Sequence, residues 1–302
     1  MFDIAMTDIG VTPADLWSSW NLHPVVLAAI AAVAGLYWSG VRALWSRGGH
    51  RAGRGVGRRQ VVAFACGLFA LCIALISPVD ALSESLLSAH MAQHLLLLVV
   101  AAPLIVIGAP ALVVGQSLRG TWTRRLRRWG RRPALRWLGR LAGHPVWSWV
   151  VATGVLWAWH IPSLYQSALE NPLVHSIEHA GFLAAGMLFW WTALRPAGPR
   201  RLPRGADVVY VFTGALQSGA LGALLVFAAA PIYPFYVGRT SAWGLTPLQD
   251  QQLAGVLMWV PPFVIYLAAA SALFVRWLRA AEAESRRHEA RAAGQVGRVP
   301  HP

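Results

Sequence analysis

Seven long runs of apolar residues divide the chain, and each is long enough to cross a bilayer as an α-helix, which needs about 17–25 residues. Inside a membrane, runs of this length satisfy their backbone hydrogen bonds only as helices, whereas barrel strands would alternate over shorter segments. The pattern predicts an all-α polytopic membrane protein, a bundle of seven transmembrane helices. The predicted spans cover about residues 24–44, 60–77, 89–115, 146–168, 173–194, 207–230 and 251–278.

Composition agrees with this architecture. Hydrophobic residues make up 56 % of the 302 residues, charged residues make up 13 %, and the mean hydropathy is +0.49. Soluble domains carry about 25 % charged residues, so an ordinary soluble enzyme and a disordered chain are both excluded. We predict one seven-helix domain over residues 1–281 and a cytoplasmic, Arg-rich tail over residues 282–302.

The arginines assign an orientation to the predicted bundle. The chain contains no lysine, and 25 of its 26 arginines fall on one side of the membrane, with Arg239 alone on the other. Loops rich in positive charge stay on the cytoplasmic side during insertion. The N-terminus is therefore predicted outside and the C-terminus in the cytoplasm.

The formal net charge of +14 would also suit a nucleic-acid partner, but the charge is spread over every inner loop. The loop over residues 117–145 interleaves Trp122, Trp129 and Trp137 with nine arginines. Arginine with tryptophan can bind single-stranded nucleic acid, and an amphipathic helix lying on anionic lipid gives the same pattern. We interpret this loop as a membrane-lipid contact and predict no nucleic-acid partner.

Five of the ten histidines fall in or next to predicted spans, all toward the outer side. Ionisable residues at membrane depth are costly and usually face the bundle interior or a wet cavity. Four of the five form pairs with i, i+4 spacing, which places both imidazoles of a pair on one helix face. A lone histidine near a helix start is more often a cap, but two pairs on one side favour a metal or haem site. The five are His90, His94, His160, His175 and His179.

Imidazole ligates copper, zinc, iron and nickel, so these histidines are the predicted metal ligands. Glu178 lies beside the second pair and is added as a ligand or as a group that orients an imidazole. Met91 is added because soft thioether ligands favour Cu(I), and Met258 is noted for the same reason. Packing explains both methionines equally well. A third helix that began at Asp80 would also bring Asp80 and Glu84 onto the histidine face.

Other chemistries find little support in the sequence. It has neither a glycine-rich phosphate loop nor a nucleophile beside a recognisable base, so we predict a non-enzymatic protein without a small-molecule substrate. The absence of lysine excludes a retinal Schiff base, which seven spans would otherwise suggest. A transporter would need a polar path to the cytoplasm, and Gln217 and Ser218 are too few to form one.

Several short motifs follow one another between Gln60 and Leu278. They include Ser77-Pro-Val-Asp80, His90-Met-Ala-Gln-His94, Trp157-Ala-Trp-His160-Ile-Pro, His175-Ser-Ile-Glu-His179 and Asp250-Gln-Gln-Leu-Ala-Gly. With these motifs the chain resembles the CtaG family of caa3-type cytochrome c oxidase assembly factors.

The resemblance implies a multi-pass protein of the bacterial plasma membrane that assists maturation of a haem–copper oxidase, with cytochrome c oxidase subunits as partners. It also implies that the motif histidines hold a copper ion on the extracytoplasmic side and help to deliver it. The competing hypothesis is a haem-binding redox or quinol-oxidising membrane protein, because histidines on facing helices can ligate haem. Two stacked haems would need histidines on both sides of the membrane, and the inner side has none within a predicted span.

Overall fold

The computed structural model of the chain describes residues 10–46, 55–117, 128, 132–194, 202–203 and 205–296. These residues form helices, turns and loops without a β-strand, which confirms the predicted all-α class. The described helices of six or more residues are α1 (Pro24–Trp45), α2 (Arg58–Leu75), α3 (Pro78–Ser83), α4 (Leu87–Ile107), α5 (Pro110–Ser117), α6 (Pro133–Ala142), α7 (Pro145–Trp159), α8 (Pro162–Glu170), α9 (Pro172–Leu194), α10 (Ala206–Phe227) and α11 (Pro247–Val296).

Proline sets most of the helix starts. Eight of the helices named above, all except α2, α4 and α10, begin with a proline. Its fixed φ suits the first helical position, and its missing N–H is not needed there. The residue before a proline is disfavoured in the α region, so the preceding helix must end first. The prolines therefore divide the bundle into more helices than the seven predicted spans.

Five described helices are long and apolar enough to cross a membrane: α1, α2, α4, α10 and the Pro247–Glu289 part of α11. They coincide with five of the seven predicted spans. The other two spans correspond to α7, which has 15 residues, and to α9, which has 23. Fifteen residues reach about 22 Å, short of the roughly 30 Å hydrocarbon core, so α7 alone is too short for an upright span.

Three boundaries differ from the prediction. The span predicted over residues 89–115 is interrupted after Ile107, because Ala109 adopts a φ of +50° and α5 starts at Pro110. The span predicted over residues 146–168 is divided between α7 and α8, since Pro162 imposes a new start.

The third difference concerns the start of α4. Glu84, Ser85 and Leu86 separate α3 from α4, so a continuous helix from Asp80 to His94 does not form. The predicted Arg–Trp loop lies mostly outside the described residues. The described Trp137, on α6, is 60 % exposed.

Two apolar clusters fill the middle of the bundle. In one, α4 packs with α7, α9, α10 and α11 around Phe189, Trp190 and Tyr266. In the other, α4 packs with α1 and α2, where the rings of Tyr37 and Phe64 stack. Because α4 belongs to both clusters, it is the central helix of the fold.

The outward-facing surfaces of the long helices are apolar. Phe69 on α2, Phe227 on α10 and Val264 on α11 are exposed over 67 %, 78 % and 60 % of their area. Exposed apolar surface on this scale is unusual for a soluble protein and typical of contact with lipid or a partner. The buried polar residues, by contrast, are concentrated near the N-terminal end of α4.

Candidate metal centre

The first turns of α4 carry the first histidine pair, and a carboxylate from another helix caps the start of α4. Asp250, at the start of α11, accepts hydrogen bonds from the backbone N–H groups of Leu87 (2.6 Å) and Ser88 (3.1 Å), and from the Ser88 hydroxyl. These N–H groups have no partner within their own helix, so Asp250 acts as a cap. His90 and His94 follow on the next turns, 0 % and 3 % exposed.

The first turns of α9 carry the second pair together with Glu178. The Asn171 side chain caps this helix by accepting from the backbone N–H of Leu173 at 2.9 Å. Glu178 and His179 follow His175 by three and four residues along α9, so the three residues lie on one face of the helix. The Glu178 carboxylate is fully buried.

The two helices bring four of the predicted residues together. Each of His90, His94, Glu178 and His179 offers one ligand atom, and these four atoms lie within 4.8 Å of one another. We call this group the His–Glu cluster. Glu178 is central to it, because its two carboxylate oxygens lie 3.7 Å from His90 Nε2 and 3.7 Å from His94 Nε2. These separations are too long for direct hydrogen bonds and leave the oxygens and nitrogens facing a shared space.

The polar atoms of the cluster lack hydrogen-bond partners within the described part of the chain. The unpartnered atoms are His90 Nε2, both ring nitrogens of His94, His179 Nε2 and both Glu178 oxygens. Buried polar groups without a partner cost about 1–3 kcal/mol each, so such a concentration calls for a ligand. A single cation bound by three imidazoles and a carboxylate would satisfy most of them together.

A chain of hydrogen bonds fixes which His90 nitrogen faces the cluster. Tyr236 Oη donates to the Ser83 carbonyl at 3.0 Å, a bond in which the carbonyl can only accept. Tyr165 Oη, 3.0 Å away, then donates to Tyr236, and His90 Nδ1 donates to Tyr165 at 2.8 Å. This order supplies one proton to each of these three contacts and leaves Nε2 of His90 with a free lone pair. The neutral tautomer required of a metal ligand is thus set by the tyrosines.

The remaining predicted ligands lie around the cluster. The His175 ring is centred 4.2 Å from that of His179 and 5.1 Å from that of His90. His160, the residue after α7, has its ring 6.4 Å from that of His94. Met91 is fully buried and packs among apolar residues that include Tyr165 and Met258. The structure therefore brings all five histidines near one another, while His160, His175 and Met91 fall outside the four-residue group.

A cavity of about 570 Å³ leads to one side of the cluster, between α1, α2 and α9. We call it the outer groove. Burial and the neighbouring Asp80 raise the pKa of Glu84 in its lining, while Arg239 lowers it. Asp80 accepts hydrogen bonds from Asn21 and Gln93, each at 2.6 Å, and so ties α3 to α4. The polar residues that line the groove are Asn21, His23, Asp80, Glu84, His175 and Ser176, together with His179.

Sequence reasoning missed the tyrosines that support the cluster. Tyr165 and Tyr236 are fully or almost fully buried, and Tyr233 donates to the His160 carbonyl at 2.9 Å. Two of the three lie between α10 and α11, in the segment Ile232-Tyr-Pro-Phe-Tyr236. The two tyrosines that flank Pro234 and Phe235 between α10 and α11 were the available signal. The capping of α4 by Asp250, from the first turn of α11, was missed as well.

The fold and the cluster define a class: a protein whose described residues are all helical or loop, with membrane-length apolar helices and a group of three histidines and a glutamate, of which only His179 is partly exposed. The profile of the cytochrome c oxidase caa3 assembly factor family (Caa3_CtaG) matches residues 35–280. The chain belongs to this family. The match covers every helix that contributes to the cluster.

Three similar curated proteins come from mycobacteria and are named as uncharacterized proteins. The chain is 26 % identical over 282 residues to uncharacterized proteins of Mycobacterium bovis and Mycobacterium tuberculosis, which covers 89 % of this chain and 40 % of each relative. An uncharacterized protein of Mycobacterium leprae is 25 % identical over 234 residues, covering 73 % of this chain and 34 % of that protein. The chain thus spans less than half the length of these relatives. No solved structure matches it.

Proposed function

We propose that this protein is an assembly factor for a caa3-type haem–copper oxidase, and that it binds a copper ion in the His–Glu cluster and helps to deliver it to the oxidase. Copper is the cargo in this proposal. The oxidase subunits are the partners, and no chemical conversion of a small molecule is involved. Family membership supports the assembly role, and the cluster supports the copper-binding role.

One observation carries the copper proposal: the unpartnered ligand atoms of His90, His94, Glu178 and His179, gathered within 4.8 Å inside an apolar bundle. Imidazole nitrogens are good ligands for copper in both common oxidation states. The only carboxylate in the group adds one negative charge, which offsets part of the charge of a bound cation. All four residues are supplied by α4 and α9, so an ion would link these two helices.

The topology we propose is a plasma-membrane bundle of seven spans with the N-terminus outside. In this topology, α7 and α8 together form the fourth span and α9 forms the fifth. The cluster lies on the extracytoplasmic side. The support is the distribution of arginine, with 25 of 26 on the opposite side. The Asp207–Arg276 ion pair, at 3.0 Å, would then join α10 to α11 at their cytoplasmic ends.

Metal analysis of the detergent-purified protein tests the proposal. The wild-type protein is expected to bind copper with at least 1:1 stoichiometry, and a His90→Ala/His94→Ala variant is expected to lose cluster-bound copper. His144→Ala/His288→Ala is the matched control, because both of these histidines are exposed and lie far from the cluster along the chain. Equal copper binding by the wild type and the His90/His94 variant would contradict the proposal.

The same preparation distinguishes the haem alternative. A haem protein would show an intense Soret absorption on purification, and that band would disappear in the His90/His94 variant. We expect no such band, and its presence would favour the redox hypothesis over copper delivery.

A further inference from the structure

A second, smaller cavity lies in the centre of the bundle and shares His94 with the His–Glu cluster. Its volume is about 40 Å³, and it is lined from α4, α7, α9, α10 and α11. We call it the inner cavity. A space of this size holds one or two water molecules or a single ion, but no organic ligand. The ligand atoms of the residues that line it therefore determine which ion it can bind.

Two histidines that line the inner cavity have unpartnered ring nitrogens. His160 donates from Nδ1 to the Leu156 carbonyl at 2.6 Å, so its tautomer leaves a lone pair on Nε2. That Nε2 is buried and has no hydrogen-bond partner among the described residues, and the same is true of both ring nitrogens of His94. His160 is 7 % exposed and His94 is 3 % exposed. Buried ring nitrogens are normally hydrogen-bonded, so unpartnered nitrogens on two imidazoles argue against an empty cavity.

Two thioethers line the same cavity. Met91 comes from α4 and Met258 from α11, and both belong to one buried apolar cluster. They are 0 % and 3 % exposed. Sulfur and imidazole together form a soft ligand set, which favours Cu(I) over Zn²⁺ and other harder divalent ions. The His–Glu cluster differs because its carboxylate also suits divalent ions.

We infer that the inner cavity is a second metal site, specific for Cu(I), with His160, Met91 and Met258 as its ligands. His94 can ligate an ion at either position, but only at one at a time, because a neutral imidazole has a single free lone pair. This inference rests on the proposed function, since it assigns an oxidation state and a second position to the same cargo. It places Met91 and His160 at the second site instead of the first. His94 would connect the two positions, because its ring lies 5.6 Å from that of His179 and 6.4 Å from that of His160.

Cu(I) binding under anaerobic, reducing conditions tests the inference on the full chain in detergent. Wild-type protein is expected to bind two Cu(I) ions, with sulfur scattering visible in X-ray absorption at the copper edge. A Met91→Leu/Met258→Leu variant keeps the side-chain volume and is expected to bind one Cu(I) without sulfur scattering. Met187→Leu is the matched control, because Met187 packs within the bundle but does not line the cavity.

A cluster variant separates this inference from the proposed function. The His90→Ala/His179→Ala variant is expected to keep one Cu(I) with sulfur scattering. It is also expected to lose binding of Co²⁺, a divalent ion used here as a probe of the His–Glu cluster. The methionine variant should still bind Co²⁺. If the methionine variant matched wild type in stoichiometry and in scattering, the inner site would be refuted while the cluster proposal stood. If the cluster variant bound as much copper as wild type, the proposed function itself would fail.

Discussion

The carboxylate of Asp250 accepts a 2.6 Å hydrogen bond from the backbone N–H of Leu87, although the two residues are 163 positions apart. Leu87 is the first residue of α4, and Asp250 belongs to the first turn of α11. The last described helix therefore holds the N-terminal end of the helix that carries His90 and His94.

Replacing Asp250 by asparagine should loosen this end of α4. The amide can accept only through its oxygen and presents a donor to the other N–H, so we expect a loss of about 1–3 kcal/mol in stability. Copper affinity should fall too, because both ligands of α4 follow this cap. Thermal unfolding and copper titration in detergent measure the two effects. Glu170→Gln, an exposed carboxyl-to-amide change, is the control; an unfolding temperature equal to the control's would contradict the prediction.

The tyrosine chain predicts a non-additive response at Tyr165 and Tyr236. Tyr165→Phe removes the 2.8 Å acceptor of His90 Nδ1, but Tyr236 Oη remains 3.1 Å from the same nitrogen and can replace it. The double variant removes both acceptors and is expected to weaken copper binding about 10–100-fold, much more than the single one.

Tyr37→Phe provides the control for the tyrosine variants. Tyr37 also donates a buried hydrogen bond, to the Gly108 carbonyl at 2.8 Å, but in the α1–α5 region away from the cluster. The Tyr37→Phe substitution should lower the stability of the protein without changing its affinity for the metal. Equal copper affinity in the double variant and in Tyr37→Phe would show that the tyrosines do not orient His90.

Glu178→Gln should separate the metals that the cluster binds. The substitution keeps the shape of the side chain and removes the only negative charge of the group. Carboxylate is a harder ligand than imidazole, so affinity for Zn²⁺ and Cu²⁺ should fall by at least tenfold, and affinity for Cu(I) should fall less. Competition titrations with each ion measure the difference. A uniform decrease for all three ions would mean that Glu178 acts on the fold and not on the metal.

Labelling of single cysteines decides between seven spans and five. After Cys66 and Cys72 are replaced by alanine, Ser163→Cys and Ser285→Cys each place a thiol at an exposed position. With seven spans, an impermeant maleimide should label Ser163→Cys from outside intact cells and Ser285→Cys only after permeabilisation. If α7 and α9 did not cross the membrane, Ser163→Cys would also require permeabilisation.

Local patterns account for much of the site. The spacing of His90 with His94, and of His175 with His179, was enough to predict two faces that carry histidines, because helix periodicity depends only on sequence distance. Their convergence around Glu178 depends on how α4 packs against α9, and that packing is decided by apolar side chains far from the histidines. The pairs could be predicted individually, but their mutual distances could not.

The departures from the prediction have local causes as well. Hydropathy treats residues 146–168 as one run, whereas Pro162 ends the helix and leaves His160 outside it, with its Nδ1 bonded to the Leu156 carbonyl. The stabilising tyrosines were missed for a different reason. Tyr233 and Tyr236 lie in an irregular loop that has no periodicity to analyse, and their role exists only once that loop folds over α4.

Because the cap on α4 comes from α11, the ligands alone do not make a finished site during biosynthesis. A nascent chain that ended after α9 would already contain His90, His94, Glu178 and His179, yet the N–H groups of Leu87 and Ser88 would still lack their carboxylate. Completion of the site therefore waits for the C-terminal helix to leave the ribosome and insert. Under the proposed function, copper loading would follow synthesis of α11.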